Sequence, residues 1–282
     1  MRSAATLASC MMVILVGIAC SASTTEQAPS TPLARTHLVS TEEYLPSVEA
    51  DVYLPEQRES SPVVLLAPGG GWQSADRAGL GQLAEALAAA GMAVVNASYR
   101  AADVGETFPV PVQDVLCAAS FAVDRVAAAG HRVGPLLLAG HSAGAHLAAL
   151  GVLAGDELRG DCPYAPVPAA GLIGLAGPYD VSDVPELAQP LFGVSPEGAP
   201  GLWRNGNPRT WVDRDPSSSA LLIHGGADPI VPVSFTQEFG ETLRAAGHGV
   251  SIELLPDADH DDVYQAHVIA PIVISWIRET FS

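Results

Sequence analysis

Short, uninterrupted apolar runs alternate with helical patterns along most of the chain, and this alternation restricts the fold more than any other feature. Buried strands are predicted at 63–67, 92–96, 136–139, 171–176 and 220–224, where no residue is charged. Such runs are typical of parallel strands that are covered on both faces. Helices are predicted between them, at 79–90, 110–129, 143–153, 233–246 and 262–280. This order predicts one α/β domain with a mostly parallel sheet and helices on both faces.

Three further segments complete this pattern. Residues 48–54 alternate apolar and polar side chains, as expected of a half-exposed antiparallel strand, and a last strand is predicted at 251–255. Residues 177–217 are rich in Pro, Gly and Trp and have no sustained period. A segment of that kind is more typical of loops and short helices over a functional site than of the core.

The predicted strand at 136–139 meets the next helix at the sequence GHSAG, residues 140–144. This is the G-x-S-x-G pattern in the context that it requires, with a strand before it and a helix after it. Glycines flank the turn because a Cβ there would collide with neighbouring backbone. We therefore predict that Ser142 is a nucleophile; the alternative is a tight turn with an incidental serine.

A serine needs a base, and the composition narrows the choice. All 13 basic residues are arginine, so a Ser-Lys dyad, a Schiff base, a pyridoxal phosphate anchor and a Walker P-loop are excluded. Among eight histidines, His260 follows the last predicted strand, at the carboxyl edge of the sheet where ligands bind. His141 and His146 lie too close to Ser142 in sequence to act as its base, and His224 ends a strand. We predict His260 as the base.

The base needs a carboxylate to orient it, and the oxyanion needs donors. Asp228 directly follows a predicted strand on the same sheet edge, although a helix-capping or turn role is the alternative. The chain order Ser142, Asp228, His260 is the one expected of α/β-hydrolases. Consecutive glycines after the first buried strand predict an oxyanion hole built from the N–H groups of Gly70, Gly71 and Ala143.

These motifs together resemble the carboxylesterase and hormone-sensitive-lipase-like branch of the α/β-hydrolases, close to bacterial esterases related to kynurenine formamidase and to feruloyl and acetyl-xylan esterases. The resemblance covers most of the chain after its leader. It rests on GGGW at 69–72, SYR at 98–100, the FP and DV pairs within 108–115, GHSAG at 140–144 and HGGADPIVP at 224–232. One departure is Pro68, which replaces the histidine that usually opens the oxyanion motif and buttresses its loop.

The resemblance implies an α/β-hydrolase fold with a short cap and hydrolysis of carboxylic esters through an acyl-enzyme, without a metal or cofactor. It also implies that Tyr99, Arg100 and Asp114 support the sheet edge. The same triad would serve an arylformamidase, and some proteins of this fold are catalytically silent binding proteins. Residues 177–217 are expected to shape the substrate pocket. Aromatic and proline side chains either line that pocket or pack in the core: Trp72, Pro178, Tyr179, Trp203 and Trp211.

Charge and local sequence argue against other partners. A net charge of −18 without a run of arginines excludes nucleic acid as an expected partner. The acidic residues near His260 invite a metal site, but Asp261 and Asp262 are equally explained as first-turn residues of the last helix. Neither an H-E-x-x-H motif nor an EF-hand loop is present.

The first 35 residues point to export. Residues 1–20 are predicted to be a signal peptide, 21–35 a Ser/Thr/Pro-rich tether and 36–282 the catalytic domain. The sequence GIAC at 17–20 resembles a bacterial lipobox with Cys20 as the lipidated residue; cleavage after Ser21 or Ala22 is the alternative. Lipid would then be the sole attachment to a membrane. In an oxidising compartment, we predict a disulfide between Cys117 and Cys162.

Overall fold

The computed structural model describes residues 37–281, apart from positions 57, 59, 215 and 216. The predicted leader, the tether and Cys20 lie outside the described residues. Within them, one sheet contains β1 His37–Leu45, β2 Val48–Leu54, β3 Ser61–Ala67, β4 Ala93–Ala97, β5 Val133–His141, β6 Gly171–Leu175, β7 Ser219–Gly225 and β8 Gly249–Leu255. The α-helices of this part are α1 Gly81–Ala89, α2 Val110–Ala128, α3 Ala143–Leu153, α4 Pro185–Phe192, α5 Pro200–Asn205, α6 Ser234–Ala245 and α7 Ala266–Phe281.

The strand order across the sheet is β1-β2-β4-β3-β5-β6-β7-β8. The pairs β1/β2 and β2/β4 are antiparallel, and every pair from β4 to β8 is parallel. This confirms the mostly parallel sheet. Because parallel strands end at the same edge, the segments that follow β3, β5, β7 and β8 lie along one side of the domain. Those four segments carry the predicted site residues.

Alternate residues of the buried strands supply two separate cores. Val63 and Leu65 of β3 pack in the cluster that includes α2 and α3, whereas Val64 and Leu66 pack in the cluster that includes α1 and α7. A strand buried on both faces needs an apolar residue at every position, which explains the uninterrupted runs. The structure therefore confirms helices on both faces of the sheet.

The two ends of the domain differ from what the sequence patterns predict. Strand β1 was not predicted, because its sequence HLVSTEEYL contains charged residues and the strand pairs only with β2 at the sheet edge. The prediction that the last helix begins at residue 262 is wrong. A short 3-10 turn, Asp262–Tyr264, is followed by Gln265 with an extended ψ of 124°, so α7 begins at Ala266.

The described residues between 177 and 217 form short helices and loops, as predicted, and hydrogen bonds join them to the sheet domain. Phe192 of α4 stacks on Trp203 of α5, with ring centroids 4.0 Å apart. The Phe108 N–H donates to the Leu191 carbonyl oxygen at 2.7 Å. His146 Nε2 donates to the Gly206 carbonyl oxygen at 2.9 Å, which fixes the segment to α3.

The two cysteines of the described part meet. Cys117 on α2 is paired with Cys162, and their Cα atoms lie 5.5 Å apart. That separation lies within the range of roughly 4.4–6.8 Å that suits a disulfide. Their oxidation in the cell stays a prediction. Among the helices of the described residues, none combines the length and apolar character needed to span a membrane.

Candidate active site

Ser142 occupies a sharp turn between β5 and α3, with φ 51° and ψ −118°. Such a positive φ is strained for a residue with a side chain. The turn is possible because its neighbours are glycines. A Cβ on Gly140 would lie 2.3 Å from the Gly144 carbonyl oxygen, and a Cβ on Gly144 would lie 2.1 Å from the Ala67 carbonyl oxygen on β3. The sequence pattern GHSAG thus reflects direct backbone contacts.

Asp228 and His260 meet at the same edge. Asp228 follows β7, His260 follows β8, and His260 Nδ1 lies 2.7 Å from Asp228 Oδ2. The histidine is 5% exposed and the aspartate side chain 1% exposed. An ionised carboxylate only accepts hydrogen bonds, so Nδ1 carries the proton and Nε2 has a free lone pair. This is the tautomer that a general base requires.

Two backbone N–H groups donate to the Asp228 carboxylate besides His260, and a second histidine lies close to it. Its Oδ1 accepts from the N–H groups of Ile230 at 2.8 Å and Val231 at 2.9 Å. His224 Nε2 lies 3.2 Å from its Oδ2. Burial raises the pKa of Asp228, but the hydrogen bonds from His260, Val231 and Ile230 outweigh it, so the pKa lies below its usual value. The carboxylate is therefore charged at neutral pH.

His141, next to Ser142 in sequence, connects the Ser142 turn to the loop that carries His260. Its Nε2 donates to the His260 carbonyl oxygen at 2.9 Å, and the two rings lie 4.7 Å apart. Burial, with the nearby His260 as a second cause, lowers the pKa of His141 to about 3. It stays neutral and acts as a fixed donor to the backbone of His260. Sequence reasoning missed this contact because it considered His141 only as a possible base.

The glycine loop after β3 has the backbone that an oxyanion hole requires. Gly70 and Gly71 have φ of 133° and 59°, and a Cβ on Gly70 would lie 2.2 Å from the Ser74 carbonyl oxygen. Among the described residues, no hydrogen-bond acceptor is found for the N–H groups of Gly70, Gly71 or Ala143. The loop begins at Pro68, whose carbonyl oxygen accepts from the buried Tyr99 hydroxyl at 3.0 Å. Tyr99 thus supports the loop at the position where the related motif has a histidine.

The neighbouring Arg100 and Asp114 form an ion pair. Asp114, whose side chain is 1% exposed, accepts from the N–H, Nε and Nη2 groups of Arg100 at 2.6–2.9 Å. These contacts tie the end of β4 to α2. This is the supporting role that the resemblance implies for both residues.

A small cavity lies beside the glycine loop. It has a volume of about 200 Å³ and is bounded by Gly69, Gly70, His141, Asp261 and Tyr264, among others. Drug-sized ligands occupy pockets of about 300–1,000 Å³. The cavity is therefore suited to a small group.

The aromatic side chains predicted to line a substrate pocket lie elsewhere. Trp72 is 1% exposed and packs edge to face on His146, with ring centroids 5.2 Å apart. Tyr179 is fully buried and stacks on Phe239 at 4.2 Å. Pro178 is also buried. Their burial fits packing in the hydrophobic core, which was the alternative to lining an open pocket. An apolar side chain just after the end of a strand can point into the core as readily as into a pocket.

The acidic residues around His260 have local partners. Asp259 Oδ1 accepts from the N–H groups of Asp261 and Asp262, and Asp262 Oδ2 accepts from the Asp259 N–H. They cap the 3-10 turn after His260. Within the part of the chain that the structure describes, no group of three or more His, Cys, Asp or Glu side chains is arranged to hold a metal ion.

Curated proteins are similar to this chain in sequence. A probable isoprenylcysteine alpha-carbonyl methylesterase (ICME) of Oryza sativa subsp. japonica is 30% identical over 235 residues, which are 78% of this chain and 56% of that protein. Esterase LipC of Mycobacterium tuberculosis is 31% identical over 214 residues, 71% of this chain and 53% of that protein. The chain thus spans about half the length of the curated relatives it matches.

Solved structures show the same fold. A truncated carbohydrate esterase from gut microbiota has a TM-score of 0.76 at 20% identity, covering 90% of this chain and 99% of that one. A thermophilic esterase from Thermogutta terrifontis with propionate bound has a TM-score of 0.68 at 22% identity, covering 88% and 94%. The BD-FAE family model matches residues 50–243, which is more than half of the chain. The protein therefore has the α/β-hydrolase fold and belongs to the BD-FAE family.

Proposed function

We propose that the protein is a serine carboxylesterase that uses Ser142, His260 and Asp228 as a catalytic triad. The observation that carries the proposal is the 2.7 Å bond between His260 Nδ1 and the charged, buried Asp228 carboxylate, at the sheet edge that also holds the strained Ser142 turn. In the neutral ring, that bond places the proton on Nδ1 and leaves the Nε2 lone pair to accept a proton. A binding protein has no use for a strained serine at the same sheet edge as an oriented histidine.

In the first step, the Ser142 hydroxyl attacks the ester carbonyl carbon while His260 Nε2 takes its proton. The resulting imidazolium is stabilised by Asp228, which remains charged. The carbonyl oxygen becomes an oxyanion, and the N–H groups of Gly70, Gly71 and Ala143 donate to it. His260 then gives the proton to the departing alcohol, and an acyl-enzyme on Ser142 remains.

In the second step, water attacks the acyl-enzyme. His260 Nε2 removes a proton from the water, and the oxyanion forms again in the same hole. Collapse returns the proton to Ser142 and releases the carboxylic acid. The reaction requires no group that the triad and the backbone donors do not supply.

Small acyl esters are the substrates that we propose. The adjacent cavity of about 200 Å³ suits short groups. Relatives are named as a methylesterase and an esterase, and one structural neighbour holds propionate. Carbohydrate esters belong in the test panel because another neighbour is described as a carbohydrate esterase.

The test compares wild type, Ser142→Ala and Ser275→Ala on p-nitrophenyl acetate and butyrate, an acetylated xylan, a feruloyl ester and N-formylkynurenine. Ser275 is an exposed serine on α7 and provides the matched control. We expect Ser142→Ala to lower kcat by about a million-fold, because triad members act as a unit. Equal rates for wild type and Ser142→Ala would refute the proposal. Preference for N-formylkynurenine would indicate an arylformamidase, and inactivity on every substrate a binding protein.

A further inference from the structure

We propose that His224 is a positioning residue that holds the Asp228 carboxylate in place for His260. The inference rests on the proposed triad, and it assigns a second histidine to the same aspartate. His224 is the second-to-last residue of strand β7, and its side chain is fully buried. Its contacts are polar on both ring nitrogens, unlike those of a histidine that only fills the core.

The partners of His224 fix its tautomer. Nε2 lies 2.9 Å from the Val231 carbonyl oxygen and 3.2 Å from Asp228 Oδ2, and both atoms are acceptors. Nε2 therefore carries the proton. Nδ1 lies 2.7 Å from Thr236 Oγ1, so it accepts the threonine hydroxyl proton. Burial lowers the pKa of His224, which keeps the ring neutral and preserves this arrangement.

The Asp228 carboxylate is held from both sides. Two backbone N–H groups donate to Oδ1, and His260 donates to Oδ2. The proton of His224 Nε2 is donated to the Val231 carbonyl oxygen, and the same nitrogen approaches Oδ2 at 3.2 Å. His224 thus anchors the residue whose N–H holds Oδ1 and lies against Oδ2; without it, Val231 loses that anchor and Oδ2 loses a polar neighbour. The aspartate then loses the fixed orientation that sets the ring of the base.

Thr236 connects this arrangement to α6. Its side chain is fully buried in the first turn of that helix. The chain of contacts runs from Thr236 through His224 to Asp228 and His260, and it joins strand β7, its following loop and helix α6. The members of this chain contact one another directly, so removal of one member changes the orientation of the next.

The experiment uses the full chain and compares wild type, His224→Leu, His224→Gln and His248→Leu. The Gln side chain can place an N–H near the position of Nε2. His248 is the matched control: it is buried, bonds Ser218 Oγ at 2.9 Å and the Val212 carbonyl oxygen at 2.8 Å, and precedes β8 at the opposite sheet edge. The measurements are kcat and KM on p-nitrophenyl acetate, the rate of Ser142 labelling by a fluorophosphonate, and the far-downfield proton resonance of His260 Nδ1–H.

For His224→Leu we expect kcat and the labelling rate to fall about ten- to a hundredfold with little change in KM, since the buried Val231 carbonyl loses its donor and the Asp228 carboxylate loses a polar neighbour. The Nδ1–H resonance should broaden or disappear. His224→Gln should recover most of each loss, and His248→Leu should leave all three readouts unchanged in folded protein. A folded His224→Leu with wild-type kcat and resonance, or an equal loss in His248→Leu, would overturn the proposal.

Thr236→Val is a second variant that tests the proposal if the His224→Leu protein does not fold. Thr236→Val keeps the shape of the side chain and removes the hydroxyl that sets the tautomer of His224. We expect a smaller fall in kcat and a weakened Nδ1–H resonance; unchanged values overturn the proposal. The Nδ1–H resonance does not depend on turnover. If the wild-type protein shows this resonance but hydrolyses no ester, the esterase function is refuted. The effect of His224→Leu and Thr236→Val on the resonance then still tests the role of His224.

Discussion

Ser142 shows how single residues define this site, because its backbone is held where side-chain-bearing residues seldom lie. Its φ of 51° is enforced by the close approach of Gly144 to β3. The requirement is local and depends on residues that adjoin each other in sequence. For that reason a five-residue pattern was enough to predict the turn and its serine.

Gly144→Ala tests this packing directly. The added Cβ would lie 2.1 Å from the Ala67 carbonyl oxygen and 2.5 Å from that of Pro68, so α3 must move away from β3. We expect loss of about 3 kcal/mol of unfolding free energy, the upper end of the range typical of overpacked cores, and loss of esterase activity. Urea unfolding and p-nitrophenyl acetate hydrolysis measure both quantities.

Gly201→Ala is the control for that substitution. Gly201 lies in α5, and a Cβ there meets no atom within 4 Å. This variant should be unchanged or more stable by about 0.4–1 kcal/mol. If Gly144→Ala has the same urea midpoint of unfolding as the wild type, the contact between Gly144 and β3 does not restrict the turn at Ser142.

The contacts of His141 and His224 were beyond sequence reasoning for a physical reason. Their partners, the His260 carbonyl oxygen and the Asp228 carboxylate, depend on the mutual placement of several loops. Ser142, Asp228 and His260 could be predicted because each follows a strand at one edge of a parallel sheet. Trp72 and Tyr179 illustrate the opposite case, since composition does not tell which way an aromatic side chain turns.

At the scale of elements, the glycine loop depends on its neighbouring strand. The segment directly after β4 supplies Tyr99, whose hydroxyl donates to the Pro68 carbonyl oxygen. Both residues are buried, and this bond supports the start of the loop that carries Gly70 and Gly71. A different residue from a different element thus takes the place of the histidine that is missing at position 68.

Tyr99→Phe removes only that hydroxyl. The Pro68 carbonyl then lacks a donor, which costs about 1–3 kcal/mol of unfolding free energy. We expect kcat to fall more than KM changes, because displaced N–H groups stabilise the oxyanion less well. The readouts are urea unfolding and steady-state hydrolysis of p-nitrophenyl butyrate.

Tyr44→Phe provides a matched comparison for Tyr99→Phe. Tyr44 is also buried and donates to a backbone carbonyl, that of Ser98, at 2.7 Å. It should lose similar stability without the loss of kcat. Equal kcat values for wild type and Tyr99→Phe would show that the loop does not depend on the tyrosine.

The elements themselves were predictable to the extent that burial imposes a pattern. Strands β3 to β7 are buried and appear as apolar runs, whereas β1 has charged side chains and one neighbour. The start of α7 could not be predicted, because the interruption at Gln265 belongs to the 3-10 turn that Asp259 and Asp262 cap. Their side-chain bonds decide that boundary, and helical periodicity does not reveal them.

At the scale of the whole molecule, the excess of acid over base lies largely outside the site. The net charge is −18, yet the Asp228 carboxylate accepts three hydrogen bonds, from Ile230, Val231 and His260. Exposed carboxylates favour solubility and disfavour binding to anionic polymers. The net charge therefore bears on solubility and on the choice of partners, whereas the proposed chemistry depends on the few residues at the sheet edge.

The last prediction follows from the expected export and concerns the cysteines. We propose that Cys20 is lipidated and that Cys117 and Cys162 are oxidised in the mature protein. Protein isolated from a bacterial envelope should have the mass of a chain that begins at an acylated Cys20. Alkylation should add no group before reduction and two groups after it.

Reduction should also lower stability, because the bond closes a segment with a sequence separation of 45 residues. The chain-entropy model gives up to about 4 kcal/mol for a loop of this size. Urea unfolding with and without reductant measures the difference, and Cys117→Ala/Cys162→Ala protein is the control, since reductant should not affect it. Two alkyl groups added without reduction would disprove the disulfide. A mature mass without acyl chains, beginning at residue 22 or 23, would disprove the lipid anchor and leave ordinary secretion, a compartment in which the same disulfide is still expected.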